Sequence, residues 1–167
     1  MADTRAELIA RLEKTAGPNL ELESAIYFET AASDHIKAFH ARQPGGQSFT
    51  QTLAALGIVP PRYTSSLDAA MTLVPKGSNW RCGRHGQAGT ADVRANTHDA
   101  LKYWREVADG ATPALALCIA SLNAGTALRA AVEAEFHQRG VRGVRVIPGT
   151  FTYSIPASKP KKRKAER

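Results

Sequence analysis

Nine consecutive residues, Ala114 to Leu122, carry a single polar side chain, Ser121, and they directly follow Thr112-Pro113. A threonine at such a position offers its hydroxyl oxygen to free N–H groups of a helix start. Proline at the first helical position gives up an N–H that would have had no partner. The segment is therefore predicted to be a helix starting at Pro113. A helix that is apolar all round must be covered on all sides. The rest of the chain then has to be arranged around it. At 167 residues and 43% apolar composition, there is material for one domain with a core of that kind.

The segments before it supply the cover. Thr4 and Glu7 form a capping-box pair ahead of Leu8, Ile9 and Leu12, and Gly17-Pro18 stops that first helix. Leu20 to about Thr30 reads as a second helix through Leu22, Ala25, Ile26 and Glu29. Ser33 to Gln43 either prolongs it or starts another. Residues 43–48 are a loop by turn chemistry, Thr50 to Leu56 a short helix closed by Gly57, and Pro60-Pro61 extended backbone. A further helix is expected with Ser65 as N-cap and Asp68 opposing the dipole, carrying Leu67, Ala70, Met71 and Val74 on one face.

Residues 79–95 change period from helical to alternating. Trp80, Cys82 and Arg84 alternate with Arg81 and Gly83, and Ala91, Val93 and Ala95 alternate with Asp92 and Arg94. A connection through Gly86-Gln87-Ala88-Gly89, longer than the commonest two residues, makes this a β-hairpin. Ala100 to Ala108 suits a helix or a strand. Beyond the apolar helix, Asn123-Ala124-Gly125 precedes a more charged helix to Arg139, closed by Gly140. That helix buries Leu128, Val132 and Phe136. Val141 to Ile147 is expected to form a last strand, ended by Pro148-Gly149.

The net charge of +7 is concentrated at one end. Lys159, Lys161, Lys162, Arg163, Lys164 and Arg167 set six positive charges against Glu166, so the last nine residues hold +5 and residues 1–158 only +2. The fold class that follows is α+β. It comprises an antiparallel sheet of about three strands packed against several helices in residues 1–150, and a flexible, disordered basic tail over 151–167. The polar start has no secretory h-region, no uninterrupted apolar run reaches the roughly 20 residues of a membrane span, and Cys82 and Cys118 show no disulfide framework. The expectation is a cytoplasmic protein with no membrane partner.

Two segments are similar to a known family. Pro61-Arg62-Tyr63-Thr64-Ser65-Ser66-Leu67-Asp68-Ala69-Ala70 with Leu73-Val74-Pro75, and Thr112 to Leu122, resemble segments of small bacteriophage and prophage proteins, the phage ABA sandwich domain. There, too, they flank a Trp-led, strand-rich stretch, here beginning at Trp80. The resemblance covers about residues 7–124 and leaves 126–150 as an extension. It implies a phage or prophage origin, a host bacterial cytoplasm, helices packed about a small sheet, and a third strand at Tyr103–Ala108. It brings no activity and no functional residues.

Cys82-Gly83-Arg84-His85 has the spacing of half a zinc site, but no second ligand pair exists among Cys118, His35, His40, His98 and His137. A Cys82–His85 nucleophile is opposed by the alternation, which turns Cys82 inward and Arg81 outward. No catalytic residue, metal ligand or cofactor is assigned. The binding candidates are cationic: Arg81, Arg84, His85, Arg94 and Arg105, with Lys102, form a patch beside Trp80, Tyr103 and Trp104 if the strands pair. Lys159, Lys161, Lys162, Arg163 and Lys164 stand ready for phosphates in the tail. The reading is a non-enzymatic phage or prophage accessory protein that acts by binding. Its alternatives are nonspecific nucleic-acid binding through the tail, sequestration of a small anionic nucleotide, and inhibition of a host protein.

Overall fold

The computed structural model describes residues 5–43, 46–96, 103–138, 145–146 and 153–154. The apolar segment is the first part of one helix, α6 (Pro113–Gln138), and every residue from Ala114 to Leu122 is buried. Thr112 Oγ1 accepts the N–H of Leu115 at 3.2 Å, the expected cap. The sheet lies against one side of α6. It is antiparallel in the order β1 (Asn79–His85), β2 (Ala88–Asn96), β3 (Tyr103–Gly110), so the ambiguous stretch before Ala108 is a strand.

On its other side α6 meets α1 (Arg5–Glu13) and α5 (Leu67–Met71). Outward from these follow α2 (Leu20–Thr30) on α1, α4 (Phe49–Ala55) on α2, and α3 (Asp34–Arg42) on α4. Leu8, Leu12, Leu22 and Ile26 share one buried cluster with Leu115, Leu117 and Ile119. Each such side chain contributes about 1.5–3 kcal/mol of burial. Helices thus cover one face of the sheet among the described residues, where the resemblance implied helices about it.

α6 departs from the sequence expectation at Asn123-Ala124-Gly125, which do not break it. A glycine inside a helix costs about 1 kcal/mol against alanine, and the burial of Ala124 and Leu128 on either side offsets that. Thr126 Oγ1 also donates to Leu122 O at 3.0 Å across the site. The resulting 26 residues are long and apolar enough to cross a membrane by length and composition, and the buried ones are Ala114 to Leu122, Ala124 and Leu128. Arg139, Gly140 and most of 141–147 lie outside the described residues. Arg145–Val146 (β4) pair with Tyr153–Ser154 (β5), a segment that the sequence assigns to the tail.

Other boundaries shift for local reasons. α1 ends at Glu13, ahead of Gly17-Pro18, and Thr4 is outside the described residues. A separate α3 begins because Ser33 is extended and its hydroxyl accepts from Ile36 N. The cap of α5 is Ser66 rather than Ser65. Ser66 has extended backbone and its side chain accepts from Ala69 N, and the N–H groups of Ser65 and Ser66 both bond back to Arg62 O. α5 is also short, since residues 72–74 continue as turns.

The hairpin turn is tighter than expected. His85 pairs with Ala88, which leaves Gly86-Gln87 as a two-residue loop. Gly86 has φ +65 and no non-glycine has positive φ among the described residues, the pattern of a type II′ turn. Gly89 belongs to β2 instead, opposite Gly110 of β3. A Cβ on Gly89 would run into the backbone of Thr112 and Pro113, and one on Gly110 would sit 2.8 Å from Ala116 N. This glycine pair lets the start of α6 rest directly on the sheet.

Candidate functional site

The register sorts the side chains of the sheet. Toward α6 point Cys82, Ala91, Val93 and Ala108. On the opposite, open face one row holds Asn79, Arg94 and Arg105, the next Arg81, Asp92 and Val107, and the next Gly83, Thr90 and Asp109. Val107 is 57% exposed there. Period-two alternation therefore brings together three of the predicted cations, Arg81, Arg94 and Arg105, from three strands. It sets Arg84 on the other face, and carries His85 to the turn end of the sheet, beyond Gly83 and Thr90. Trp80 also lies on the other face, in the row of Val93 and Glu106, so it does not adjoin the three arginines as expected. Lys102, like Lys159 to Lys164 of the tail, lies outside the described residues, and the side chains of Tyr103 and Trp104 are not described.

The centre of the cluster is a residue that the sequence did not single out. Asp92, in the middle strand and only 9% exposed, accepts from all three arginines. Arg94 Nε lies 3.2 Å from Oδ1 and its Nη2 2.9 Å from Oδ2. Arg105 repeats that two-pronged geometry at 3.3 and 3.1 Å. Arg81 Nη2 reaches Oδ2 at 3.5 Å. Paired forks of this kind are the strong form of arginine–carboxylate contact. The hydrogen bonds from Arg94 are the largest influence holding the Asp92 carboxyl down, to about 2, against the opposing effect of burial, and Arg105 adds its own hydrogen bonds and charge.

A pH dependence follows. The unfolded chain's aspartate titrates near ~3.9, above the folded value of about 2, so the unfolded state binds more protons between them. The stabilisation is complete above about pH 4 and is lost as the pH falls toward 2. With the arginines half in water, it is worth about 1–2 kcal/mol. In urea melts at about pH 5 and pH 2.5, the native chain is expected to lose that much more than Asp92→Asn; equal losses would remove Asp92 from the acid response.

The Cys82/His85 half site does not assemble. On a strand, residues three apart point to opposite faces, and Cys82 packs against the core while His85 is exposed. Cys118 is buried with its thiol donating to Tyr63 O at 3.2 Å, and burial pushes its pKa up to about 12. His40 is packed among Phe28 and Phe49 with Nδ1 2.7 Å from Thr52 Oγ1, and His35 and His137 are exposed on separate helices. Among the described residues no group of three His, Cys, Asp or Glu converges on one point.

The cationic face is thus the one constellation of the described residues in which several predicted site residues meet. The chain matches no family model, no curated protein and no solved structure. What the face offers chemically is three guanidiniums around one carboxylate, Asp92, with Asp109 in the next row of the open sheet. The inner edges of Arg94 and Arg105 are pinned by Asp92, while Arg81 and Arg105 are 69% and 52% exposed.

Proposed function

We propose that the protein is a non-enzymatic accessory protein of phage or prophage type that acts by binding, and that its ligand is the phosphate backbone of a nucleic acid laid across the open face of the sheet. The observation that carries this reading is the convergence of Arg81, Arg94 and Arg105 around Asp92. The two-pronged contacts of Asp92 fix the guanidinium planes of Arg94 and Arg105, so the exposed N–H groups of Arg105 lose little freedom on meeting an oxygen anion. The three arginines outnumber Asp92 and Asp109 on this face, and the surplus of positive charge attracts phosphate without reading bases. An open face also suits an extended chain better than a small nucleotide, which is held in a concave site. The basic tail adds further positive charge.

The test separates face from tail. Anisotropy of labelled single-stranded and duplex DNA is measured at about 50 and 200 mM salt. The full chain is compared with a version in which Lys159, Lys161, Lys162, Arg163, Lys164 and Arg167 are all glutamine. The expected result is weaker binding that survives, with a salt slope near −2 for single strands, as roughly three phosphate contacts would give. Complete loss of binding would assign nucleic acid to the tail alone. No binding by either protein would end this reading and favour inhibition of a host protein.

A further inference from the structure

The free edge of the sheet is a second surface, separate from the arginine face. We propose that β1 docks an extended acidic segment of another protein, which adds to the sheet as a fourth strand. Among the described residues β1 is an edge strand paired only with β2. All seven of its residues are exposed except Cys82, which is half-buried. In a two-residue hairpin the residues flanking the turn form a hydrogen-bonded pair, here His85 and Ala88. The alternation then turns the N–H and C=O of Trp80, Cys82 and Arg84 away from β2. Among the described residues no backbone hydrogen bond takes up these groups. A row of unpaired donors and acceptors in strand geometry is a template for an incoming strand.

The flanking side chains state what that strand must carry. Arg81 and His85 stand on the open face of β1 and Arg84 on the other, where Trp80 is 38% exposed and Cys82 packs on the core. Arg84 and His85 have no ion-pair partner among the described residues, and Arg81 makes only its 3.5 Å contact with Asp92. Cross-strand neighbours of opposite charge stabilise a pair and like charges oppose it. A second copy of this chain would set Arg81, Arg84 and His85 against themselves, and the chain's own tail is basic. The fitting occupant is therefore an extended segment with carboxylates facing Arg81, Arg84 and His85 and apolar residues beside Trp80 and Cys82.

The probe is a capped nonapeptide of valines with glutamate at the three positions that fall opposite Arg81, Arg84 and His85, set against one with lysine at those positions, both added to the full chain. Hydrogen exchange read residue by residue is expected to show the glutamate peptide protecting the amides of Trp80, Cys82 and Arg84, and the lysine peptide leaving them unchanged. Arg84→Gln is expected to weaken binding a few-fold through lost charge. Arg84→Pro also removes an outward N–H at a position where an edge strand tolerates proline, and is expected to weaken it roughly tenfold or more. Protection elsewhere only, equal binding of both peptides, unchanged binding by Arg84→Pro, or self-association of the chain through these amides would each overturn the proposal. Exchange on the unaltered chain keeps the test intact should the proline variant misfold. None of these readings involves nucleic acid, so loss of the phosphate-binding reading leaves this one standing.

Discussion

Gly89→Ala is expected to destabilise the fold by about 3 kcal/mol or more, enough to unfold a domain of ordinary stability. The added methyl would occupy the space now filled by the backbone of Thr112 and Pro113. Backbone cannot rotate aside as a side chain does, so α6 would have to lift from the sheet at its capped end. That movement would open the contacts of Leu115 and Ala116, both fully buried, with everything they touch. Gly83→Ala is the control: in the same sheet, a Cβ there meets nothing within 4 Å. Its expected effect on a thermal or urea melt is within about 0.5 kcal/mol. Equal melting of the two variants would contradict the close seating of α6.

Asp92→Asn is expected to act in opposite directions on stability and on binding. Removing the charge leaves Arg81, Arg94 and Arg105 with an amide oxygen in place of a carboxylate, while the side-chain volume is kept. The loss is about 1–2 kcal/mol of stability at neutral pH, read from a urea melt. Binding of single-stranded DNA should tighten several-fold, because the face gains a net charge and the guanidinium forks are freed from their internal anion. A variant both weaker in the melt and weaker in binding would mean that Asp92's ordering of the arginines outweighs its neutralising charge.

The parts of this fold legible in the sequence are those decided by near neighbours. Thr112-Pro113 and the apolar run from Ala114 gave the start and burial of α6, and alternation placed Cys82 inward and Arg81 outward. The parts not legible depend on what comes from elsewhere in the chain. Gly86 and Gly89 look alike in sequence. One is needed for positive φ in a turn, the other because a helix from residues 113 onward sits on it, and only the register tells them apart. The adjacent serines, Ser65 and Ser66, are both chemically fit to cap, but Ser65 lies within a turn and the extended backbone of Ser66 sets its hydroxyl on Ala69 N. Gly125 has a breaker's chemistry, but the packing of Ala124 and Leu128 overrides it.

The arginine cluster was half legible. Its cations stood out by type, yet their common face needed the register of three strands. Asp92 drew no notice as one more alternating polar residue. The signal was present: Asp92 and Arg94, two apart on a strand, must share a face, and a turn at Gly86-Gln87 puts Arg81 directly opposite Asp92.

The most direct measurement of the central claim is the affinity of the full chain for a single-stranded oligonucleotide at low salt, compared with Arg81→Gln/Asp92→Asn/Arg94→Gln/Arg105→Gln. The Asp92→Asn change keeps a buried carboxylate from being left without its partners. The expected result is a fall in affinity of roughly 10- to 100-fold, with the salt slope reduced by about 2. An affinity and slope equal to those of the native chain, in a variant that still melts cooperatively, would show that the open face of the sheet is not where nucleic acid binds.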